Sequence, residues 1–448
     1  MKIRELWICK YKNIENFSIN FENSENINVL IGKNGSGKSN IIEAIILIFD
    51  FLYNNYAYIE FEFEFKIKFE CNDDIILIER TKERKIGKRN NDNEEELESF
   101  KARIKQNYSD SFPANILVYY NGTNSRIKEI IKEYDNQFIE DLKTNISLKK
   151  RPIFVFEDKQ FSILLFSLFT YKNESDFIKT IFEKLNINSF SRIEIIKTAK
   201  KVTQESITNK YLSLLDRIGS KEKNKLIINN EMLKKVFDAD RANLGEPRDL
   251  LKIFDVLIKS EIISEIKVFL KKNDIEILHN EFSEGEKQFV ILRLLLEFFM
   301  YKETLYLFDE PDIYLHPTWQ QNLVNEVRGI NDRHHVIITT HSPHIVSSLQ
   351  KENIFLMENG NILNSEDLYS FGRDTSSILY EYFKVPFIAN KEVKDKITEI
   401  DNLIDEGKYE EADNEIKDLE KIRGNNDKEI QRLITSLNFE RNWVNDND

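Results

Sequence analysis

The residues with the plainest chemical purpose lie at positions 32–39: Gly32-Lys33-Asn34-Gly35-Ser36-Gly37-Lys38-Ser39, followed by Asn40. The pattern is G-x-x-x-x-G-K-S, and it stands between an apolar run and a helical one, the context such a loop requires. Small residues let the backbone curl so that successive N–H groups face phosphate oxygens. The N-terminus of the following helix adds partial positive charge. Lys38 is placed to reach β- and γ-phosphates, and the Ser39 hydroxyl to ligate Mg²⁺. Glycine is scarce, 13 of 448 residues, so a chance match is rare.

Three further segments carry groups that suit the same chemistry. Leu305-Tyr306-Leu307-Phe308 ends in Asp309-Glu310. A buried strand there delivers two carboxylates at its C-terminal edge, one to hold Mg²⁺ through its shell and one to orient a water. Val336-Ile337-Ile338-Thr339-Thr340 ends in His341-Ser342-Pro343, 31 residues beyond Glu310. Ser283-Glu284-Gly285-Glu286-Lys287-Gln288 opens an apolar helical pattern. Its helix N-terminus is a second anion-binding cap, and it also satisfies an ordinary capping box between Ser283 and Glu286.

In this order the segments resemble the motifs of ABC-type ATPases. Ser283–Gln288 resembles the signature, Leu305–Glu310 the Walker B strand, Asp312 the D-loop aspartate and His341 the switch histidine. The resemblance implies ATP and Mg²⁺ as cofactors. It implies Lys38, Glu310 and His341 as catalytic residues, with Mg²⁺ on Ser39 and Asp309. It also implies a homodimer in which Ser283, Gly285 and Glu286 close on ATP held by the other subunit. Gln160, in Glu157-Asp158-Lys159-Gln160-Phe161, lies in the interval of the Q-loop. His316 and His344 read as structural.

The elements that must position these groups follow from periodicity. Ile3–Ile8 and Ile14–Phe21 alternate as strands, and Ile27–Ile31 is a continuous apolar run. A helix is expected from Lys38 to Tyr53. Ile59–Phe69 alternates and should pair with Ile75–Ile78 across Cys71–Asp74. Residues 82–97 lose all periodicity and read as a loop. Ile116–Tyr120 reads as a strand ending at Asn121-Gly122, and 125–260 as mainly helical. Ile266–Leu270 and Ile275–Leu278 form a hairpin. A helix near 317–328 and a hairpin at Asn359-Gly360 follow, then charged helices from 392. The expected fold is α/β, a P-loop NTPase with an ABC or SMC-head-like mixed sheet and an antiparallel β lobe. Its parts are 1–124 (phosphate loop and β lobe), 125–262 (helical insertion), 263–364 (signature, Walker B, histidine) and 365–448 (helical module for assembly or partner binding).

Composition narrows the class. The chain is 41% hydrophobic and 31% charged, with net charge 64 − 77 = −13. An acidic whole argues against coating nucleic acid non-specifically. Local runs remain candidates for DNA or plain solvated faces: Lys82–Lys85 with Lys88-Arg89, Lys149–Arg151, and Lys197 with Lys200-Lys201. No run suggests a membrane span, the start lacks a signal-peptide core, and Cys9 and Cys71 form no CxxC pair. A cytoplasmic home is expected.

The span from Lys38 to Ser283, 283 − 38 = 245 residues, is long for a transporter domain and short for an SMC arm. Tyr11-Lys12-Asn13-Ile14 and Asp309–Pro317 resemble the RecF and OLD group. The 85 or so residues after the core lack a strand-borne Glu plus D-x-D pattern, so a Toprim nuclease is not expected. Tyr119–Arg126, Phe371–Leu379 and Ile404–Ala412 resemble the ATPase subunit of the Septu anti-phage system, PtuA, and its retron-associated relatives. That resemblance implies a PtuB-like HNH nuclease partner and dimers that build larger oligomers. Two alternatives stand beside it: a RecF or SMC-like repair ATPase, and an ATP-gated dimer clamp with negligible turnover.

Overall fold

The computed structural model describes residues 1–53, 63–107, 109–120, 126–132, 135–136, 138–140, 152–168, 176–200, 206–232, 246–300, 303–329, 333–363, 369–383, 391–424 and 427–445. The expected turn at Asn121-Gly122, the start of the alternating run at 59–62, and the basic run Lys149–Arg151 lie outside them.

The chain opens with strands β1 (Lys2–Tyr11), β2 (Ile14–Asn20) and β3 (Ile27–Gly32), then helix α1 (Lys38–Tyr53). Strands β4 (Phe65–Cys71), β5 (Asp74–Arg80), β6 (Lys85–Arg89) and β7 (Glu95–Glu96) lead to α2 (Leu97–Asn107). Next come β8 (Asn115–Tyr120), β9 (Ile153–Phe156), α3 (Phe161–Leu168), α4 (Asp176–Lys184) and β10 (Ile187–Lys197). Helix α5 (Ile207–Ile218), β11 (Ser220–Glu222), β12 (Lys225–Asn229) and α6 (Pro247–Lys259) precede β13 (Ile263–Lys272) and β14 (Ile275–Leu278). Then follow α7 (Glu284–Phe299), β15 (Thr304–Asp309), α8 (Pro317–Arg328), β16 (His334–Thr339), β17 (Ile354–Glu358) and β18 (Asn361–Ile362).

The central sheet has the order β18-β17-β3-β16-β15-β8-β9. All its pairings are parallel except β17 with β18. Strands β3, β15 and β16 are buried along their whole length, as parallel strands covered on both faces must be. Helix α1 is apolar almost all round: Ile41, Ile45, Ile48 and Phe49 are fully buried between this sheet and the β lobe.

The β lobe is an antiparallel sheet, β2-β1-β4-β5-β6-β7. Two of its strands fall where a loop was expected, at 82–97. Strand β6 is the basic run itself, and no apolar alternation marks it. Its inward residue is Gly87, where a Cβ would stand 2.2 Å from the Phe100 ring, so only glycine lets α2 pack here. The charges on this edge answer one another: Arg84 pairs with Glu79 and Glu94, and Arg89 with Asp74.

The stretch 125–260, read as mainly helical, carries strands beside its helices. Strand β9 extends the central sheet, and β10, β11 and β12 join β13 and β14 in a third sheet, β11-β12-β10-β13-β14. The hairpin β13–β14 belongs to this inserted sheet. Strand β10 escaped a period-2 reading because its pairing with β13 shifts register three times. Each bulge moves the following side chains to the other face. The basic residues here are again paired, Lys197 with Asp216 and Lys200 with Glu261.

Residues 1–378 form one compact unit and 379–448 another. The second holds α9 (Lys391–Asp405), α10 (Tyr409–Arg423) and α11 (Lys428–Asn445), packed around Ile400, Ile404, Ile416, Leu419, Ile430 and Leu433. Among the described residues no helix is long and apolar enough to cross a membrane.

Candidate active site

Strand β3 ends at Gly32, in the middle of the sheet, and the chain turns through residues 33–37 into α1. Gly32 adopts φ +151°, and a Cβ there would meet the Met357 carbonyl oxygen at 2.3 Å. The loop therefore needs glycine both for its backbone and for its approach to β17. Asn13, in the β1–β2 turn, clamps the loop from the other side. Its Nδ2 donates to the Gly35 carbonyl at 2.7 Å, and its Oδ1 accepts from Asn40 Nδ2 at 2.6 Å.

Lys38, 5% exposed, donates to the Gly32 carbonyl at 3.0 Å and lies 2.9 Å from His341 Nε2. Burial lowers its pKa, against the pull of Glu310 and Asp309. Ser39 Oγ donates to Asp309 Oδ1 at 3.0 Å, and Thr339 donates to the same oxygen. Burial pushes the Asp309 carboxyl up to about 6 despite those two bonds. Glu310 sits at φ +49°, a strained backbone for a residue with a Cβ, held by N–H bonds to the Thr339 carbonyl (3.1 Å) and hydroxyl (3.0 Å). His341 Nε2 lies 3.7 Å from Glu310 Oε1. Its pKa is lowered, first by burial and then by Lys38.

Asn34, Gly35, Gly37, Lys38, Ser39, Asn40, Glu43, Tyr120 and Glu310 line one cleft of about 440 Å³ at the C-terminal edge of the sheet. Crevices at that edge are where ligands of α/β sheets bind. The Ser39 hydroxyl and Asp309 carboxylate are hard oxygen donors within a hydrogen bond of each other, a set that fits Mg²⁺. Lys38 and the exposed loop N–H groups suit phosphates.

The signature residues do not line this cleft. Ser283 N-caps α7, with its capping box to Glu286 formed, and is exposed. Glu286 is held below the usual carboxylate range: burial works upward, but Lys272 and Ser283 outweigh it. Gly285 lets the 311–315 loop approach, since a Cβ there would stand 2.7 Å from the Tyr314 carbonyl. Asp312 is buried in that loop, and burial pushes its carboxyl up to about 6 although Thr340 donates to it. Gln160 is not brought to the cleft. It is fully buried, its Nε2 bonded to Asp255 and its Oε1 accepting from the Glu157 N–H at 2.8 Å.

Several residues in or beside the site carry no role in the sequence reading. Tyr120 stands in register with Asp309 on the neighbouring strand. Gln288 donates to Tyr119 Oη at 3.4 Å and accepts from the Tyr314 N–H at 3.0 Å, tying α7 to both strand end and loop. Gln320 bonds the Asp312 carbonyl at 3.0 Å and the Ser342 hydroxyl at 2.7 Å. Thr339 lies inside the Thr-Thr-His run, Asn13 inside Tyr11–Ile14, Tyr120 inside Tyr119–Arg126 and Gln288 inside Ser283–Gln288, so sequence marked their segments without giving them roles.

A phosphate loop on a parallel sheet, with Asp309, Glu310 and His341 at the same edge, defines a P-loop ATPase domain. A family model described as "AAA ATPase domain" matches residues 1–346, and the chain belongs to that family. Over 466 aligned residues it is 26% identical to the "Retron Vc95 probable ATPase" of Vibrio cholerae serotype O1 biovar El Tor, covering 91% of this chain and 84% of that one. It is 33% identical over 111 residues to the "Retron Ec83 probable ATPase" of Escherichia coli, 24% of this chain and 20% of the relative. It is 44% identical over 46 residues to "Septu protein PtuA" of Bacillus thuringiensis, 10% and 12% of the two chains. Among solved structures, an SMC head bound to the C-winged helix domain of ScpA aligns with TM-score 0.40 and 16% identity, over 81% of this chain and 98% of that one. The chain is thus an AAA ATPase-domain protein, similar over most of its length to a retron ATPase.

Proposed function

We propose that the protein binds and hydrolyses Mg·ATP as a dimer and uses that cycle to regulate a partner nuclease in anti-phage defence. The observation that carries the ATPase reading is the convergence of Lys38, Ser39, Asp309, Glu310 and His341 on one sheet edge. Ser39 and Asp309 would hold Mg²⁺, which when bound offsets phosphate charge. Lys38 grips the β- and γ-phosphates. Glu310, fixed by two backbone bonds, orients the attacking water, and His341 lies beside both. The dimer reading rests on the exposed Ser283 cap standing outside the cleft that holds Lys38.

The defence reading rests on likeness to retron ATPases over most of the chain and to the Septu protein over a short stretch. From the resemblance of Tyr119–Arg126, Phe371–Leu379 and Ile404–Ala412 to the Septu ATPase subunit, the partner proposed is an HNH nuclease, which carries out the cleavage. Lys38→Ala should abolish nucleotide binding. Glu310→Gln should keep ATP binding and slow turnover by about two orders of magnitude or more. Normal turnover by Glu310→Gln would remove the role given to Glu310. Tagged protein recovered from its host should bring an HNH protein in stoichiometric amount. Recovery of recombination proteins without a nuclease would move the reading to a repair ATPase.

A further inference from the structure

A residue of the inserted sheet reaches the signature serine through Glu286. Lys272, the last residue of β13, forms an ion pair with Glu286 in the first turn of α7, and its ammonium lies 5.8 Å from the Phe282 ring centroid. The other Glu286 oxygen accepts from the Ser283 N–H at 3.1 Å and from the Ser283 hydroxyl at 3.0 Å. The Ser283 oxygen in turn accepts from the Glu286 N–H at 3.3 Å. A carboxylate thus stands beside the helix N-terminus that is to receive an anion. It stabilises the free helix end, but it opposes an arriving phosphate and occupies the hydroxyl that would bond it.

We propose that Lys272 is a positioning residue for the signature cap. By pairing with one oxygen of Glu286 it offsets the charge next to the α7 N-terminus. The cap can then take the terminal phosphate of ATP held by a second copy of the chain. The β13–β14 hairpin therefore controls ATP-dependent pairing: a partner that shifts the inserted sheet would withdraw Lys272 and weaken it. Lys287, next to Glu286, is 3.4 Å from Asp158 just after β9, so the α7 start is tied to the end of the central sheet as well as to the inserted one. The inference rests on the reading of Ser283 as a cap for the other subunit's ATP.

The test uses the full chain in a Glu310→Gln background, so that ATP persists. Lys272→Gln and Lys272→Arg are compared by sedimentation with ATP and by titration with a fluorescent ADP. ADP affinity, which needs only the Lys38 loop, should be unchanged in both, which also shows that they fold. Lys272→Gln should raise the protein concentration needed for half pairing by about tenfold, within the usual range of coupling between sites. Lys272→Arg, which keeps the charge beside Glu286, should pair like the parent. Pairing by Lys272→Gln equal to the parent overturns the proposal, as does Lys272→Arg no better than Lys272→Gln. A parent that does not pair with ATP removes the cap reading itself, and this inference with it.

Discussion

The central strand β16 should make the protein acid-sensitive through His334, and the size of the effect can be worked from its surroundings. His334 is 2% exposed, and its Nε2 lies 2.7 Å from the Met300 carbonyl, an acceptor only, so the proton sits on Nε2. Nδ1 is buried with no partner. A second proton would place a charge on that nitrogen with nothing to receive it. Burial accordingly pushes the pKa down to about 4 from 6.5, although the Met300 carbonyl pulls the other way. The unfolded chain takes the proton first. The stability is therefore complete above pH 6.5 and is lost as pH falls toward 4. Each pH unit in that window removes up to about 1.4 kcal/mol, so the whole passage removes about 3 kcal/mol, of which about 2 are gone at pH 5. The assay is urea unfolding of wild type and His334→Gln, followed by tryptophan fluorescence at pH 7.5 and pH 5. Glutamine keeps a donor toward Met300 and cannot ionise. Whatever the variant costs at pH 7.5, its further loss at pH 5 should be about 2 kcal/mol smaller than that of wild type. An equal loss in both proteins would refute the reasoning.

Three further expectations bear on the site and the second unit. Gly32→Ala places a Cβ 2.3 Å from the Met357 carbonyl at φ +151°, so ATP affinity measured by calorimetry should fall by more than about tenfold. Gly285→Ala presses on the Tyr314 carbonyl 2.7 Å away and separates α7 from the loop of Asp312, so turnover should drop while ADP binding stays intact. Leu433→Ala removes a fully buried side chain from the three-helix unit at about 2–5 kcal/mol. Limited proteolysis should then open 379–448 while ATP binding by the first unit persists.

Sequence alone determined the elements whose signal is local. The loop from Gly32 to Ser39, the strands before Asp309 and His341, and the helix from Lys38 to Tyr53 were all legible, because buried parallel strands are unbroken apolar runs and glycine marks special backbone. Tertiary structure decided what depends on distant partners. Strand β6 is held by Phe100 and by ion pairs, so its own residues carry no alternation. Strand β10 is bulged, which scrambles the period along one chain while its pairing with β13 remains long. Gln160 occupies a plausible interval, yet burial against Asp255 takes it out of reach. Asn13 and Tyr120 reach the site only because the β1–β2 turn and the end of β8 lie beside it, and Gln288 ties the start of α7 to that strand end through Tyr119. Spacing in sequence fixes which groups exist and which elements carry them. Which of them share a cleft is set by strand order and register, and those are properties of pairs.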